Sequence, residues 1–425
     1  MNKVGIKLNE LGPVKQQKIE LKPVMLFTGE SSLGKSYVNF LSYYLFHVFT
    51  SDRMNEFLLE KIGVDVNEVN DHTFDLRTSD IIEWMQNDVR KFFVYLYNFE
   101  GFKCDVEFDF ENVEDNYHIS YHKQNFHHKE VNVLSIHIES NGEKNRMFFS
   151  PQNADKALCS AIRRNLCSNF LGQSFRYSCL LPPGRASLLS GDFTSQRGSS
   201  KLGLYDLFLR DNDWINSMVL WNKQVSRKDT SFFTNQIHKL IKGDIVSEKD
   251  GLFLLTEDQQ KLPLGAAASS IKELTPLLQF ILSDDISNTS ICIEEPEAHL
   301  HPEMQLAVAD LLAACINMNV AMQITTHSDY FLQRVNQLLK YGCIREKSSV
   351  RYQQLCEETG HQPEHYLNRK DVNAYYFSSE GGKTIVNPLE IGDNGIPLSS
   401  FFNAVALLSK EDELLDNELE RILVE

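Results

Sequence analysis

The chain has 425 residues, 42% hydrophobic and 24% charged, a composition typical of a globular protein long enough for two or three domains. Its formal net charge of −16 argues against non-specific nucleic-acid binding over the whole surface. No apolar run is long enough to span a bilayer, and the N-terminus lacks the apolar segment of a signal peptide. The eight cysteines are scattered without a zinc-binding spacing, so we expect a cytoplasmic protein with reduced thiols.

The first fifty residues contain two predicted strands and then a phosphate-binding pattern. Strands are predicted at residues 3–8 and 18–21, separated by a Gly-Pro turn. A third, apolar strand at Val24–Thr28 precedes G-x-x-x-x-G-K-S/T, and a helix-compatible stretch runs from Tyr37 to Val48. Strand, glycine-bounded loop and helix form the context that a P-loop requires.

The residue types of this loop suit nucleotide phosphates. Backbone N–H groups of the loop and of the helix N-terminus point at phosphate oxygens, and glycines allow a close approach. Lys35 would supply charge to the β- and γ-phosphates, and the Ser36 hydroxyl would ligate Mg²⁺. We therefore predict a nucleotide site formed by Gly29, Glu30, Ser31, Ser32, Leu33, Gly34, Lys35, Ser36 and Tyr37.

Residues 50–150 are interpreted as an insertion of strands and helices. Apolar spacing predicts a core-facing helix from Asp80 to Phe99. Strict alternation predicts a half-exposed strand from Cys104 to Phe110, with Val131–Ile138 as its partner. A metal site is conceivable in this segment, but its histidines lack a recognised ligand spacing, which favours solvated or hydrogen-bonding roles; they are His118, His122, His127 and His128.

The middle of the chain is predicted to be mainly helical. A helix is expected over 152–178, and Leu180–Arg185 breaks it with two prolines and a glycine. Two helical patterns follow between Leu202 and Ile241, and neither sustains the heptads of a long coiled coil. A hairpin over 243–264 and a helix-compatible run from Ser270 to Leu282 come next.

Two further apolar strands end in residues suited to ATP hydrolysis. Ile291–Ile293 is followed by Glu294, expected on the Mg²⁺ side, and by Glu295, expected to act as the base for water. A solvated acidic loop is the alternative for this pair. A third strand, Ala321–Thr325, leads to His327, which can reach the γ-phosphate or the attacking water, although an isolated histidine is more often structural.

Together these motifs resemble the ABC-type ATPases of the RecF/SMC/OLD group. The motifs are the P-loop, the run Glu-Glu-Pro-Glu-Ala-His-Leu-His-Pro at 294–302 and Thr-Thr-His-Ser at 325–328. Leu181–Arg185 resembles the group's Leu-Pro-Ala-x-Arg segment, and residues 268–274 resemble its signature segment. The greatest likeness is to AAA15/AAA21-like ATPases, often found in bacterial antiphage systems of the PARIS or Septu type.

The resemblance implies an α/β fold, namely a P-loop NTPase of the ABC-ATPase head type with an inserted α+β region and a helical lid. The expected ranges are an N-terminal lobe at 1–50, the insertion at 51–180, the rest of the head at 181–345 and an α+β tail at 346–425. Two heads would dimerise around ATP and Mg²⁺. Signature residues of one head would contact the nucleotide of the other, and a switch histidine would act beside it; these residues are Ser269, Ser270 and His327.

Three departures from the group's pattern predict slow turnover, which suits a switch more than a motor. The P-loop reads Glu-Ser-Ser-Leu where Pro-Asn-Gly-Ser is usual. Ile271 replaces the signature glycine, and Glu294 stands where aspartate is usual. The tail is too short for the Toprim domain of an OLD nuclease, so the chain itself is not expected to cut nucleic acid.

The expected function is an ATP-hydrolysing sensor or scaffold that controls a separate effector, such as a nuclease, in phage defence. One alternative is a DNA-repair or chromosome-maintenance ATPase that clamps DNA directly, as RecF-like heads do. Another is a nucleotide-gated binding module that no longer hydrolyses ATP. Expected partners are a second copy of the chain and the effector; DNA remains possible, and no membrane is expected.

Overall fold

The computed structural model of the chain describes residues 1–128, 131–140, 143–149, 154–190, 202–225, 231–248, 251–283, 286–397 and 399–424. The strands are β1 Val4–Leu11, β2 Val14–Leu21, β3 Val24–Gly29, β4 Asp71–Arg77, β5 Cys104–Phe110, β6 Asn116–His128, β7 Val131–Ser140, β8 Glu143–Phe149, β9 Tyr177–Leu181, β10 Gly243–Glu248, β11 Gly251–Thr256, β12 Lys261–Pro263, β13 Thr289–Glu294, β14 Ala321–Thr325, β15 Val372–Glu380 and β16 Lys383–Leu389. The helices are α1 Lys35–Thr50, α2 Asn55–Ile62, α3 Thr78–Tyr97, α4 Ala154–Leu171, α5 Arg185–Ser190, α6 Gly203–Val225, α7 Ser231–Ile241, α8 Ser269–Ser283, α9 Pro302–Asn317, α10 Asp329–Lys347, α11 Ser349–Thr359 and α12 Ser399–Val424.

A nine-stranded sheet in the order β5-β1-β2-β16-β15-β3-β14-β13-β9 organises the fold. Its β15-β3-β14-β13-β9 portion is parallel, and the pairs β5-β1, β1-β2 and β15-β16 are antiparallel. Parallel strands are covered on both faces, which explains why the predicted strands near the site are continuous apolar runs. The predicted α/β class is confirmed.

Side chains of the sheet alternate between two hydrophobic cores. On β3, Met25 and Phe27 join the core that α1 covers, whereas Val24 and Leu26 join the core that contains α8, α9 and α10. Because alternate residues of a strand point to opposite faces, one six-residue strand anchors both layers. This packing holds the carboxyl ends of β3, β14 and β13 side by side, and the site is built there.

The partner predicted for β5 was wrong. This strand pairs with β1 at the edge of the large sheet, with Ile6 opposite Phe108. The strand containing Val131–Ile138, β7, instead lies between β6 and β8 in a separate four-stranded sheet. Alternation identifies a half-buried strand, but it does not identify the neighbour that completes the hydrogen bonds.

Two other segments differ from the expectation in how they join the sheet. The helix expected over 152–178 ends at Leu171, and β9 then pairs in parallel with β13. The tail strand β15 lies directly beside β3, so residues assigned to different ranges share one sheet. The domain boundaries themselves stay a prediction.

Among the described residues no helix is long and apolar enough to cross a membrane.

Candidate nucleotide-binding site

The loop between β3 and α1 has the backbone that its glycines permit. Gly29 and Gly34 have φ values of 118° and 90°, in the region that L side chains rarely adopt. A Cβ at Gly29 would lie 2.2 Å from the carbonyl oxygen of Phe377, and the Glu30 N–H donates to that oxygen at 2.9 Å. The tail strand β15 therefore shapes the start of the P-loop. Within the loop, Ser31 and Ser32 are exposed and Leu33 is half-buried.

The N-terminal turn packs against the other end of the loop. A Cβ at Gly34 would lie 3.0 Å from both Pro13 and Val14, and one at Gly12 would lie 2.6 Å from the ring of Tyr37. The Tyr37 ring also packs edge-on against the rings of Tyr97 and Phe102, with 5.3 Å between ring centroids in each pair. Tyr37 thus has a packing role, and its backbone lies at the helix N-terminus where phosphate is expected.

Lys35 is buried within the loop that it would serve. Its Nζ donates to the carbonyl oxygens of Gly29 at 3.1 Å and Glu30 at 2.5 Å. Burial lowers the pKa of Lys35, and the nearby carboxylates of Glu294 and Glu295 oppose this. The ammonium group is therefore held against the P-loop backbone, where a phosphate would offer it a charged partner.

Ser36, Asn39 and Glu294 join the P-loop helix to the end of β13. The Ser36 hydroxyl donates to Oε2 of Glu294 at 2.5 Å, and the Asn39 amide donates to Oε1 at 2.6 Å. Glu294 is only 3% exposed. Burial raises its pKa, and the hydrogen bonds from Ser36 and Asn39 oppose this. A hydroxyl and a carboxylate oxygen are hard ligands of the kind that Mg²⁺ prefers, so Ser36 and Glu294 fit this ion.

Glu295 lies next to Glu294 but in a different environment. Its φ of 47° is unusual for a residue other than glycine, and its N–H donates to the Thr325 carbonyl at 3.1 Å. This turn leaves the side chain 45% exposed, with Oε1 4.0 Å from Nε2 of His327. Burial lowers the pKa of His327, with Lys35 adding to this and Glu295 opposing it. The strand end therefore gives one enclosed and one accessible carboxylate.

Glu297 supports the loop after β14 and was not assigned a role from the sequence. Its Oε1 accepts from the Thr326 hydroxyl at 2.7 Å and from the His327 N–H at 2.8 Å. Burial raises the pKa of Glu297, and its buried Oε2 has no hydrogen-bond partner among the residues that the structure describes. The carboxylate fixes the backbone of His327 and so aims its ring toward Glu295.

Arg185 is a second residue whose role was not predicted. Its guanidinium is fully buried and donates to three backbone carbonyls, those of Glu273 at 2.8 Å, Glu294 at 2.8 Å and Pro182 at 3.1 Å. The Glu273 carboxylate lies 3.7 Å from the same group. Arg185 therefore connects α8 to the end of β13. The Leu-Pro-Pro-Gly-Arg segment marked its position, and only the packing shows what it binds.

The predicted signature residues lie at the start of α8. Ser269 is exposed and Ser270 is half-buried. Among the described residues, no hydrogen bond joins either serine to the P-loop of its own chain. Their link to the site runs through Glu273, one turn further along α8, and Arg185.

Two histidines of the inserted sheet form ion pairs with neighbouring carboxylates, and among the described residues no group of three or more His, Cys, Asp or Glu is found that could hold a metal ion. His118 pairs with Asp75 at 2.7 Å and His122 with Asp71 at 2.5 Å. The side chains of His127 and His128 lie outside the described residues. The preference for hydrogen-bonding histidines holds for the first two.

Comparison with known proteins gives one family match. Residues 205–332 match the family model for the AAA ATPase domain, a stretch that contains α8, β13 and β14. No curated protein matches the sequence. The chain is similar to an SMC head bound to the C-winged helix domain of ScpA, at 12% identity with a TM-score of 0.39, over 92% of this chain and 97% of that chain.

Two further SMC heads are similar at the same level. The SMC head domain from Thermotoga maritima matches at 11% identity and a TM-score of 0.33, over 92% of this chain and 100% of that chain. The Smc head domain with an extended coiled coil, bound to the C-terminal domain of ScpA from Pyrococcus furiosus, matches at 11% identity and a TM-score of 0.35. The match covers 97% of this chain and 99% of that chain. TM-scores below 0.5 establish no common fold.

Proposed function

We propose that this chain binds ATP with Mg²⁺ and hydrolyses it slowly. The observation that carries the proposal is the junction of Ser36, Asn39 and Glu294, which brings the P-loop helix against an acidic strand end. Ser36 and Glu294 would hold Mg²⁺, which neutralises phosphate charge when bound. Lys35 and the backbone N–H groups of residues 29–37 would bind the phosphates.

We assign to Glu295, the accessible carboxylate, the role of taking a proton from the attacking water. Glu295 is exposed enough to reach a water at the γ-phosphate, whereas Glu294 is enclosed by Ser36 and Asn39. His327 lies beside Glu295 and would position the same water or the γ-phosphate. Glu297 would keep His327 in place through its backbone. General-base assistance of this kind contributes roughly 10²–10⁴-fold in rate.

Glu295→Gln tests this assignment. The amide has nearly the same shape but cannot accept the proton, so we expect ATP affinity to be retained and turnover to fall by roughly 10²-fold or more. Nucleotide binding and steady-state phosphate release are measured on the same preparation. Glu303→Gln, at the start of α9, is the matched control and should hydrolyse like the wild type. Wild-type turnover in Glu295→Gln would assign the base elsewhere.

The ATP cycle is further proposed to control a separate effector, such as a nuclease, in antiphage defence. The support is the resemblance of residues 29–36, 294–302 and 325–328 to AAA15/AAA21-like ATPases. The alternative of a head that clamps DNA directly has less support because the chain carries a net charge of −16. The free state of all eight cysteines supports a cytoplasmic location.

The effector role is tested by purification of the tagged chain together with the products of neighbouring genes. We expect a stoichiometric complex whose nuclease activity changes with ATP, and no such change when the chain carries Lys35→Ala. Tight ATP-dependent binding of duplex DNA by the chain alone would instead support the clamp.

A further inference from the structure

A cavity of about 720 Å³ lies at the end of α1 that is far from the P-loop. Since α1 begins at Lys35 and has 16 residues, its two ends are about 24 Å apart. The walls of the cavity come from the end of α1, from α3, from the start of β9 and from α6, and they include none of the residues assigned to the nucleotide site. Its volume is within the range of roughly 300–1,000 Å³ that is typical of small-molecule sites.

The charge felt inside this cavity is opposite in sign to that of the chain. Burial lowers the pKa of His47, which lines the cavity, to about 3, and the charges that lower it further are those of Arg53, Arg210 and Arg163. A chain with a net charge of −16 therefore has a locally positive region here. A positive potential at an enclosed site attracts anions.

Two arginines line the cavity with part of each guanidinium still available. Arg53 binds the Asp88 carboxylate through Nε at 2.5 Å and through Nη2 at 3.1 Å. Arg210 donates from Nη2 to the Tyr95 hydroxyl at 2.9 Å, and its Nε lies 3.5 Å from Asp206. Within the described parts of the chain, Nη1 of neither arginine makes a hydrogen bond. Guanidinium nitrogens are strong donors to phosphate oxygens.

The carboxylates in the walls do not cancel this potential. Asp52 pairs with Arg163 at 3.1 Å, and Asp206 faces Arg210. Burial raises the pKa of Asp211 to about 7, so this group carries less negative charge near neutral pH than an exposed aspartate does. The region around His47 therefore stays positive although acidic residues are present.

His47 has one ring nitrogen left for a ligand. Its Nδ1 is occupied by the hydroxyls of Tyr43 at 2.9 Å and Ser178 at 3.1 Å, and the Thr50 hydroxyl donates to the Ser178 oxygen at 2.8 Å. With both hydroxyls at Nδ1, the neutral ring carries its proton on Nε2. Nε2 can then donate to an anion in the cavity.

An aromatic pair belongs to the same walls. Trp214 is 40% exposed, and its ring stacks on Tyr177 with 4.3 Å between ring centroids. The stack covers one face of the indole, and its exposure leaves the other face for a second flat ring. The cavity thus combines donors for an anion with a platform for a planar heterocycle.

We propose that this cavity is a second nucleotide site, separate from the P-loop, and that it takes a nucleoside monophosphate. The phosphate lies against Nη1 of Arg53 and of Arg210 and against Nε2 of His47, and the base stacks on the open face of Trp214. A planar base joined to a compact dianion uses both features of the walls, whereas a bare anion or an uncharged ring uses only one. The inference goes beyond the proposed ATPase activity and depends on none of its steps.

The first experiment measures binding of AMP, GMP, CMP and UMP by calorimetry, without Mg²⁺, to three forms of the full chain. We expect saturable binding of at least one of them to the wild type and to Lys35→Ala, and binding weaker by about tenfold or more in Arg210→Gln. The Arg210 side chain is 62% exposed, so its replacement should leave the fold intact. The matched control is Arg351→Gln on α11, which removes the same charge and should change affinity by no more than about twofold.

The two substitutions separate this site from the P-loop. Affinity lost in Lys35→Ala but retained in Arg210→Gln would place the monophosphate at the P-loop and overturn the proposal. Binding of none of the four to the wild type, or equal affinity in Arg210→Gln and the wild type, would overturn it as well. ATP binding that fails in every form, with monophosphate binding intact, would contradict the proposed ATPase activity alone.

The second experiment tests recognition of the base. Trp214→Leu should weaken binding of the same monophosphate by about fivefold or more, and inorganic phosphate should bind the wild type more weakly by a similar factor. Phe99→Leu, at an aromatic ring that is 58% exposed and outside the cavity, is the control and should bind like the wild type. Circular dichroism verifies the fold of each variant. Wild-type affinity in Trp214→Leu, or inorganic phosphate that binds as tightly as the monophosphate, would show that the base is not recognised and overturn the assignment of a nucleotide.

Discussion

At the residue scale, Glu294 shows how the site is prepared for a cation. Its carboxylate is buried, which raises its pKa, and Ser36 and Asn39 hold both of its oxygens. When folding raises the pKa of a group, the free energy of unfolding falls as pH rises from the group's pKa in the unfolded chain to its pKa in the folded protein. A bound divalent cation would remove this cost, so ligand binding and stability are linked at this residue.

Lys35→Ala tests the phosphate site directly. The substitution removes the ammonium group that the P-loop backbone holds where phosphates are expected, so we expect ATP binding to be lost and effector control to be lost with it. Affinity is measured by calorimetry on protein whose circular dichroism matches that of the wild type. Unchanged affinity in a folded variant would remove phosphate binding from the proposal.

Asp211 predicts a pH dependence of stability. The residue accepts from the Tyr177 hydroxyl at 2.8 Å and from the Leu180 N–H at 3.3 Å, and burial raises its pKa to about 7. Above its ordinary pKa of about 4, the unfolded chain has lost a proton that the folded chain retains. This group therefore lowers the free energy of unfolding by up to about 1.4 kcal/mol per pH unit as pH rises toward 7.

Asp211→Asn removes that titration. We expect urea unfolding to show a smaller loss of stability between about pH 5 and about pH 7 in the variant than in the wild type. Asp213→Asn, on the same helix, serves as the control and should keep the wild-type dependence. Parallel pH profiles of wild type and Asp211→Asn would show that Asp211 is ionised in the folded protein.

At the scale of elements, the Arg185 side chain connects a strand and a helix that come from different parts of the chain. Arg185, at the start of α5, binds the last carbonyl of β13 and a carbonyl of α8, the helix that begins with Ser269. A displacement of the β13 end at Glu294 would therefore be transmitted to α8 through Arg185. Burial lowers the pKa of Arg185, with the Glu273 carboxylate as the largest opposing influence.

Arg185→Met is expected to destabilise the protein by roughly 3–5 kcal/mol, because it removes the cation beside the buried Glu273 carboxylate and the side-chain donor to three buried carbonyls. The control is Arg351→Met, whose ion pair with Glu358 is exposed on both sides and should change stability by about 0.5 kcal/mol or less. Both values come from denaturant unfolding. The double substitution Arg185→Met/Glu273→Met should cost less than the sum of its parts.

A cost for Arg185→Met no larger than that of Arg351→Met would mean that the guanidinium does not bind these elements together. If only stability changes and the ATP affinity of the surviving folded protein is normal, Arg185 serves the fold and not the communication between α8 and β13.

At the scale of the whole molecule, the predicted contribution of Ser269 and Ser270 requires a second copy of the chain. The two serines are the first residues of α8, whose N-terminal N–H groups suit phosphate, while the P-loop of the same chain already uses the N-terminus of α1. Ile271 restricts the backbone where glycine is usual in the resembled group, which makes this the most demanding of the predictions.

Mixing two inactive proteins tests the arrangement. Lys35→Ala and Ser269→Ala/Ser270→Ala should each lack activity alone. If sites form in trans, a mixed dimer carries both defects in one site and none in the other, so an equal mixture should recover about one quarter of the wild-type rate. With subunit exchange verified independently, no recovery at any ratio would favour a site completed within one chain or obligate coupling of both sites.

Much of the site was predictable from sequence because its parts are local. Three parts of the site can be recognised within about a dozen residues each, from apolar runs, glycine spacing and a polar end. They are the P-loop, the strand before Glu294 and the strand before His327. The α/β class was expected from the family resemblance that these motifs carry. Local periodicity reflects which face of an element is buried, and this is fixed by neighbouring residues along the chain.

Only the tertiary structure decided which of these parts meet. Ser36 and Glu294 are 258 positions apart, and β15 shapes the P-loop from the far end of the chain. The partner of β5 and the roles of Asn39, Glu297 and Arg185 were missed for the same reason. Strand neighbours and buried polar contacts are selected by the packing of the whole chain, since many pairings satisfy the same local pattern and only one buries both cores at once.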